Sequence, residues 1–174
     1  MLTIRAEGPA DHDAITSVVA AAFGSAAEAR LVERIRASDG YRAPLALVAE
    51  LDGAVVGHVM VSTAELHTPD GVRSLAMLSP LAVAPDHQSH GIGGELVRTV
   101  CRRAGETGEA VVVLEGSPAY YGRFGFEPSS TYGIELPIPD WAPREASQVL
   151  WLGDVDPTMT GRVVYSSAFD EVSG

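Results

Sequence analysis

The sequence predicts an α+β fold in which a mixed, mostly antiparallel sheet is flanked by helices. Three features predict it: strand patterns on both sides of an Asp-Gly turn, a glycine-rich loop that leads into an amphipathic helix, and a short apolar run after that helix. The chain has 174 residues, which is close to the usual size of one domain. We therefore expect a single domain over residues 1–174.

The amino-terminal segment predicts one strand and two helices. Apolar and polar residues alternate over residues 2–7, which is typical of a strand, and Gly8 begins a turn that ends it. Asp11 can cap a helix, and a second helical pattern follows Gly24 over residues 28–37. The predicted buried face of the first helix consists of Ile15, Val18, Val19 and Phe23.

An antiparallel meander is predicted next. The Asp-Gly pair at residues 52–53 is a strong hairpin signal, and residues 45–51 and 54–62 on either side are rich in strand-forming side chains. Residues 75–83 predict a further strand. Pro80 inside it has no N–H group to donate, so we expect the strand to bulge or to be unpaired there.

The middle of the chain predicts a parallel strand pair. A glycine-rich loop separates the strand that ends at Val83 from a helix over residues 92–104, and the apolar run 110–114 is typical of a buried parallel strand. Strand, helix and strand together predict a right-handed βαβ unit. The remaining predicted elements are a short helix at 117–124, a turn at 125–127 into an edge strand, and strands at 148–152 and 162–165.

Composition limits the classes of function. Arg supplies all 12 basic residues against 23 acidic ones, so the net charge is −11. A surface this acidic disfavours nucleic acid and anionic membranes, and favours cationic small molecules. The absence of Lys from the sequence excludes a Walker A loop and Schiff-base chemistry. No apolar run approaches the ~18 residues of a membrane span, and the amino terminus lacks an export signal, so we expect a cytoplasmic location.

Three glycines, Gly91, Gly93 and Gly94, stand where a strand passes into a helix. Unpaired backbone N–H groups and the positive end of the helix dipole form an anion site there, and glycine lets a phosphate approach the backbone closely. The dinucleotide-binding fingerprint needs a glycine at its sixth position, which is Leu96 here. On the loop alone, a connection without a ligand stays open as the alternative.

Two motifs together resemble the GNAT superfamily of N-acetyltransferases. The first is Gln88-Ser89-His90-Gly91-Ile92-Gly93-Gly94 after a strand that ends Leu81-Ala82-Val83, and it looks like the acetyl-CoA loop of the family. The second is Tyr121 followed, after three residues, by Gly125 and Phe126, which resembles the family's motif of Tyr, three residues, Gly and Phe. The resemblance covers residues 1–130 in element order, and its second motif is especially similar to a bacterial branch of predicted acetyltransferases.

This resemblance implies acetyl-CoA as the cosubstrate and a sheet in which one parallel strand pair is splayed around it. The pantetheine arm would lie in the gap, where the bulge at Pro80 leaves a free strand edge. Gln88 replaces the Arg that is commoner in the family. The resemblance assigns cofactor contacts to Leu81, Ala82, Val83, Gln88, Ser89, His90, Gly91, Ile92, Gly93 and Gly94.

Acetyl transfer from a thioester to an amine needs a neutral nucleophile, a hydrogen-bond donor for the oxyanion and a proton for the leaving thiolate. The resemblance assigns that proton to the phenol of Tyr121, with Tyr120 as the alternative if the motif is shifted by one residue. It assigns the oxyanion donor to a backbone N–H near Val83. Three residues are candidates for the base, each with a structural role as its alternative: Glu115, Ser79 and His58.

Other chemically active side chains have simpler interpretations. His87 and His90 lie in a loop without a carboxylate or Cys at ligand spacing, so we expect no metal there. Cys101 lies on the apolar face of a helix with no assigned base, which argues against a nucleophile. Trp141 and Trp151 wall a substrate pocket or, as the simpler interpretation, pack in the core.

The sequence therefore predicts an acetyl-CoA-dependent N-acetyltransferase that acts by direct transfer to a small-molecule or peptide amine, without a metal. A coenzyme A-binding regulatory or interaction module that has lost turnover is the second interpretation, and a nucleotide-binding protein is the third. The regions that contact substrate in the family correspond to residues 22–42 and 133–164, which contain no recognised motif. The acceptor therefore stays open, as does a homodimer.

Overall fold

The computed structural model describes residues 1–170, and nine strands of that part of the chain form one sheet. The strands are β1 (Leu2–Ala6), β2 (Ala46–Leu51), β3 (Ala54–Thr68), β4 (Gly71–Val83), β5 (Val111–Glu115), β6 (Glu127–Pro128), β7 (Ile134–Glu135), β8 (Ser147–Trp151) and β9 (Gly161–Val164). The α-helices are α1 (His12–Phe23), α2 (Ala27–Arg36), α3 (Ile92–Glu106) and α4 (Pro118–Tyr121). None of the helices within residues 1–170 has the length and apolar character that a membrane span requires.

The sheet is mixed and mostly antiparallel, which confirms the predicted fold class. Its main path runs β1-β2-β3-β4-β5-β8-β6, and every pair of neighbours on that path is antiparallel except β4 with β5. That exception is the predicted parallel pair, with α3 in the connection between its strands. A second parallel pair, β7 with β9, is only two residue pairs long and joins the sheet through β3. The sequence patterns do not predict this second pair.

The strands β4 and β5 are paired over only a short distance. The pairing consists of Ala76 with Val112 and Met77 with Val113, after which the two strands separate. Directly beyond the last pair, β4 contains two residues, Ser79 and Pro80, opposite a single position of β3. This is the bulge that the sequence predicts at Pro80, and it leaves the rest of β4 paired with β3 alone.

The hairpin between β2 and β3 forms at the predicted Asp-Gly turn. Asp52 and Gly53 both have positive φ, 50° and 84°, which is the conformation that favours Asp-Gly in a two-residue hairpin turn. The hairpin between β3 and β4 is longer than predicted, since β3 extends to Thr68 and β4 begins at Gly71. The added part of β3 lies between β4 and β9, so pairing on both sides holds it extended.

Apolar side chains pack on both faces of the sheet. On one face, α1 and α2 contribute Ile15 and Leu31 to a cluster that includes Met60 of β3. On the other face, Leu96 of α3 packs with Val59 of β3 in a second cluster. Neighbouring residues of β3 therefore point into opposite clusters, as the two-residue period of a strand requires. The sheet thus separates α1 and α2 from α3.

Two details of α1 differ from the sequence prediction. Asp11 stands at the helix start, but its side chain makes no capping bond to the helix; it accepts instead from the Gly8 backbone N–H at 2.8 Å and from Arg5 at 2.8 and 2.9 Å. Phe23, predicted on the buried face, is 45% exposed. It is the last residue of α1, before Gly24 adopts the left-handed conformation (φ 66°), and so it lies beyond the part of the helix that packs on the sheet.

A buried polar cluster joins the residue after β1, the end of α2 and β3. Arg36 donates two hydrogen bonds to the Glu7 carboxylate, at 2.9 and 3.0 Å, and the Tyr41 hydroxyl donates a third at 2.8 Å. His58 is 0% exposed, and its Nδ1 lies 3.8 Å from Glu7 Oε2. Burial lowers the pKa of His58 to about 4, against the opposing influence of Glu7. His58 is therefore neutral at pH 7 and belongs to the core.

His58 makes the stability of the fold sensitive to mild acid. Its pKa falls from 6.5 in the unfolded chain to about 4 in the folded one, so between these values the unfolded state binds a proton that the folded state does not. The free energy of unfolding therefore decreases as the pH falls through this range. When the pH is lowered from 7 to 5, we expect the free energy of unfolding to decrease by about 2 kcal/mol more in the wild type than in His58→Gln, measured by urea denaturation.

The matched control is His67→Gln, which changes an exposed histidine of the same strand. It should leave the acid-dependent loss of stability in place. Identical pH profiles for the wild type and His58→Gln would contradict the prediction.

Candidate functional site

The loop between β4 and α3 presents unpaired backbone N–H groups. It begins after Val83, passes through a short turn at Pro85–His87, and enters α3 at Gly91, whose φ of 82° is left-handed. The first intrahelical bond runs from the Glu95 N–H to the Gly91 carbonyl at 3.1 Å, and no side chain caps the helix start. The N–H groups of residues 92–94 are thus available to an anion, and the helix dipole adds positive potential.

A cavity of about 620 Å³ opens beside this loop and is called the loop cavity here. It is bounded by the end of β4, by the loop, by the first turn of α3 and by the segment that contains α4. Its lining residues are Leu81, Val83, His87, Gln88, Ser89, Gly91, Ile92, Gly93, Gly94, Arg98, Tyr120, Arg123 and Phe124. Backbone amides and guanidinium groups thus share one cavity.

Two arginines supply the positive charge of the loop cavity. The guanidinium of Arg98 lies 5.0 Å from the centre of the Phe124 ring, and that of Arg123 lies 4.7 Å from the Tyr120 ring. Stacking on aromatic rings holds both guanidinium groups at the cavity wall. Gln88 instead donates its side-chain amide to the Val83 carbonyl at 3.0 Å, so it joins the loop to the end of β4.

Glycine in the first turn of α3 lets the segment that contains α4 pack closely against it. A Cβ atom at Gly93 would clash with the Tyr120 hydroxyl oxygen, and one at Gly94 would lie 3.2 Å from the Phe124 ring. The glycines therefore serve two purposes: they expose the backbone to a ligand, and they admit the aromatic side chains that form the opposite wall.

A second cavity, of about 720 Å³, lies on the other side of the gap between β4 and β5. We call it the carboxylate cavity because its charged lining residues are Glu28, Glu115 and Asp140. Leu81 lines both cavities, so they meet at the part of β4 that has no partner on the β5 side. The gap predicted from the bulge is thus the junction of two cavities of opposite charge.

Tyr120 and Tyr121 are neighbours in α4 but line different cavities. Tyr120 lines the loop cavity and Tyr121 the carboxylate cavity. The ring of Tyr121 packs on Gly116, where a Cβ atom would lie 2.5 Å away, and is edge-on to Phe126 at 5.7 Å. Burial raises the pKa of Tyr121 above its ordinary value, so the phenol keeps its proton at neutral pH. The serine that caps α4, Ser117, accepts from the Tyr120 N–H at 3.3 Å.

Residues 3–129 match the sequence profile of the acetyltransferase (GNAT) domain. This chain belongs to the GNAT acetyltransferase family. This range nearly coincides with residues 1–130, over which the sequence analysis finds the resemblance. The uncharacterized N-acetyltransferase YhbS of Escherichia coli K12 is 34% identical over 171 residues, which cover 97% of this chain and 99% of that protein. YjhQ of the same strain, also named an uncharacterized N-acetyltransferase, is 33% identical over 141 residues, 79% of this chain and 78% of that protein.

Two solved GNAT structures share the whole architecture. Escherichia coli YhbS, in complex with CoA, superimposes with a TM-score of 0.87 at 32% identity over 97% of this chain and 92% of that one. A GNAT acetyltransferase of Brucella melitensis, in complex with acetyl-CoA, has a TM-score of 0.79 at 31% identity over 98% of this chain and 99% of that one. These neighbours confirm that the mixed sheet with a splayed parallel pair is a GNAT fold.

In this GNAT chain, most of the residues predicted to contact a cofactor lie together. Eight of the ten line the loop cavity: Leu81, Val83, Gln88, Ser89, Gly91, Ile92, Gly93 and Gly94. Ala82 and His90 do not; the side chain of Ala82 points into the core on the opposite face of β4 and is 3% exposed. Arg98 and Arg123 line the cavity although the sequence analysis did not include them. Arg98 lies one helical turn after Gly94, but only the packing of Phe124 against α3 places it at the cavity.

The candidates for the base are separated by the fold. Ser79 and Glu115 line the carboxylate cavity together with Tyr121. His58 lies in the buried polar cluster and lines neither the loop cavity nor the carboxylate cavity. Burial raises the pKa of Glu115, and Tyr165 is close enough to oppose that shift. Glu115 is therefore a carboxylate of increased basicity beside the gap.

The remaining candidates occupy distinct environments. Trp141, for which core packing was the simpler expectation, is 85% exposed and lines the carboxylate cavity. Trp151 packs edge-on to Tyr132 at 5.6 Å, as a core residue would. Cys101 is buried, and burial raises the pKa of its thiol to about 12. Within residues 1–170, His, Cys, Asp and Glu do not form a group of three or more that could hold a metal ion.

The close contact between Gly93 and Tyr120 predicts an energetic coupling. Alanine is favoured over glycine inside a helix by about 1 kcal/mol, but in the wild type the new methyl group would overlap the Tyr120 hydroxyl. Without that hydroxyl the nearest atoms are 3.7 Å away. The effect of Gly93→Ala on the free energy of unfolding should therefore be more favourable in Tyr120→Phe than in the wild type, by about 1 kcal/mol. A double-mutant cycle of unfolding free energies measures this difference.

Gly105→Ala is the control in the same helix, since its Cβ atom would meet only Leu152 at 3.7 Å. Its effect should be equal in both backgrounds. A coupling of zero between positions 93 and 120 would mean that the side chain of Tyr120 is not held against α3.

Proposed function

We propose that this protein transfers the acetyl group of acetyl-CoA directly to the amine of a small molecule or peptide. One observation carries the proposal: two cavities of opposite charge meet at Leu81, beside the gap between β4 and β5. The loop cavity has amides and arginines for an anionic cofactor, and the carboxylate cavity has acids and a phenol for an amine. The Brucella melitensis relative in complex with acetyl-CoA supports this choice of cosubstrate.

The loop cavity binds the phosphates of the cosubstrate. Of the predicted donors, the N–H groups of residues 89–94 donate to the pyrophosphate, helped by the dipole of α3, whereas the Gln88 N–H donates to the Pro85 carbonyl at 3.4 Å. Arg98 and Arg123 supply the charge that Gln88 does not supply. A guanidinium group donates two hydrogen bonds to a phosphate in a fixed geometry, so the ring stacking of these arginines also orients the ligand.

The gap between β4 and β5 holds the pantetheine arm. Beyond Met77 the β5 side of β4 has no strand partner, so the backbone of Leu81 and the N–H of Val83 are free to bond to amides of the arm, while the Val83 carbonyl accepts from the Gln88 side chain. An extended amide chain fits beside a strand because the spacing of its donors and acceptors resembles that of a strand backbone. The thioester then lies near Leu81, where the two cavities meet.

The transfer needs two proton movements. The amine nitrogen attacks the thioester carbonyl carbon, a backbone N–H near Val83 donates to the oxygen that gains charge, and the carbon–sulfur bond breaks. Tyr121 donates its proton to the thiolate; burial raises the pKa of the phenol, so the proton is in place before the transfer. Glu115 accepts the proton from the amine, directly or through water, because its pKa is raised towards the working range of a base.

One assay separates this proposal from the two other interpretations. We expect steady release of free coenzyme A from acetyl-CoA when amines are added. A binding module without turnover would be stabilised by acetyl-CoA but would release no thiol. A nucleotide-binding protein would show an increase in melting temperature with ATP or NAD and none with acetyl-CoA.

The loop assignment predicts that a negative charge at Gly91 weakens cofactor binding. A Cβ atom at this position meets nothing within 4 Å, so a substitution does not disturb the packing. Gly91→Asp places a carboxylate beside the pyrophosphate, whereas Gly91→Asn has the same shape and tolerates the left-handed conformation equally. We expect the Asp variant to bind acetyl-CoA at least about 30-fold more weakly than the Asn variant in calorimetry. Equal affinities would exclude residue 91 from the phosphate site.

The acid assignment predicts a loss of turnover in Tyr121→Phe. The change removes one hydroxyl from a packed ring, so the fold and the affinity for acetyl-CoA should be kept. General acid catalysis contributes ~10² to 10⁴ in rate, and we expect kcat to fall by that factor.

Tyr120→Phe distinguishes the two neighbouring phenols. Its hydroxyl lies in the loop cavity against Gly93, so its removal should change the affinity for acetyl-CoA and not the turnover number. A large fall in kcat for Tyr120→Phe, with Tyr121→Phe near the wild type, would move the acid role to Tyr120.

A further inference from the structure

The carboxylate cavity contains more acidic groups than the transfer reaction uses. Glu115 is assigned to the amine that reacts, but Glu28 and Asp140 also line the cavity. Its lining contains no Lys, Arg or His within the described residues. The arginines of the site, Arg98 and Arg123, lie in the loop cavity on the other side of Leu81.

Glu28 has a carboxylate oxygen that lacks a hydrogen-bond donor. Its Oε2 atom is buried, and no described residue donates to it. A buried carboxylate oxygen without a partner is unfavourable unless a ligand supplies the donor. Because Glu28 also lines the cavity that we assign to the acceptor, its carboxylate is a second contact point for that acceptor.

Aromatic side chains line the same cavity. Phe23 and Trp141 are 45% and 85% exposed, and the rings of Tyr165 and Phe169 pair at 5.5 Å. Such a wall suits methylene groups, and the faces of the rings attract cations. A ligand with an aliphatic chain and a cationic end satisfies both the aromatic wall and the carboxylates.

We propose that the acceptor is an aliphatic diamine or polyamine, with the reacting amine near Glu115 and Tyr121 and a second ammonium group on Glu28. This inference rests on the proposed acetyl transfer. It also explains the selectivity expected of the cavity: an acceptor with a carboxylate at its far end would face Glu28 and Asp140 with a like charge.

Three amines with the same four-carbon chain test the inference. Putrescine ends in a second ammonium group, butylamine in a methyl group and γ-aminobutyrate in a carboxylate. From coenzyme A release, we expect kcat/KM for putrescine to exceed that for butylamine at least about tenfold and that for γ-aminobutyrate at least about 100-fold. Longer diamines and spermidine define the best chain length, each compared with the monoamine of equal length.

Glu28→Gln tests the contact point itself. We expect it to raise KM for putrescine about tenfold, to leave kcat and the KM for acetyl-CoA near the wild type, and to change butylamine little. Glu33→Gln is the matched control, because Glu33 is an exposed residue of the same helix and does not line the cavity. If Glu28 only stabilised α2, Glu28→Gln would lower the melting temperature and leave the ranking of the amines unchanged, which would overturn the inference.

Calorimetry on the coenzyme A complex separates this inference from the proposed function. Tighter binding of putrescine than of butylamine, lost in Glu28→Gln, supports the diamine site even if no amine is acetylated, and that result counts against the proposed function alone. Thiol release in which every monoamine matches or exceeds its diamine overturns the inference and keeps the enzyme. Absence of diamine binding to the complex overturns it as well.

Discussion

The site depends on a constraint in the backbone of β4, which cannot pair with β5 along its whole length. Pro80 has no N–H group for a ladder, and two residues of β4 stand opposite one position of β3 at this point. The parallel pairing stops at Met77. Beyond this residue, β4 and β5 separate and leave an opening in the middle of the sheet. The loop cavity, the carboxylate cavity and their junction at Leu81 all lie around this opening.

The short helix α4 divides the chemistry between the two sides of the opening. Consecutive residues of a helix point in directions about 100° apart, and Tyr120 and Tyr121 accordingly line different cavities. One phenol packs on Gly93 of α3 and the other on Gly116. A single turn of helix therefore packs against the glycine-rich loop through Tyr120 and places Tyr121, the proposed proton donor, in the other cavity.

Local patterns were sufficient to predict most elements of this fold, because periodicity and turn chemistry act over a few residues. The bulge at Pro80, the Asp-Gly hairpin and the parallel strand after α3 are examples. Contacts between distant segments were not predictable in the same way. Arg98 looks like a solvent-facing residue of α3 until Phe124, in the segment after α4, folds back onto it. Trp141 looks like a core residue until the segment after β7 places it at a cavity.

The helix α2 forms a wall of the carboxylate cavity and is anchored at one end. At one end of the helix, Arg36 is fixed to the buried Glu7 by two hydrogen bonds, and at the other end Glu28 faces the cavity. The α2 side of the cavity is therefore held in a fixed position. The opposite wall is the segment 136–143, which has no regular helix or strand and contains three prolines. For the proposed diamine acceptor, substitutions in that segment change the accepted chain length and leave β4 and β5 as they are.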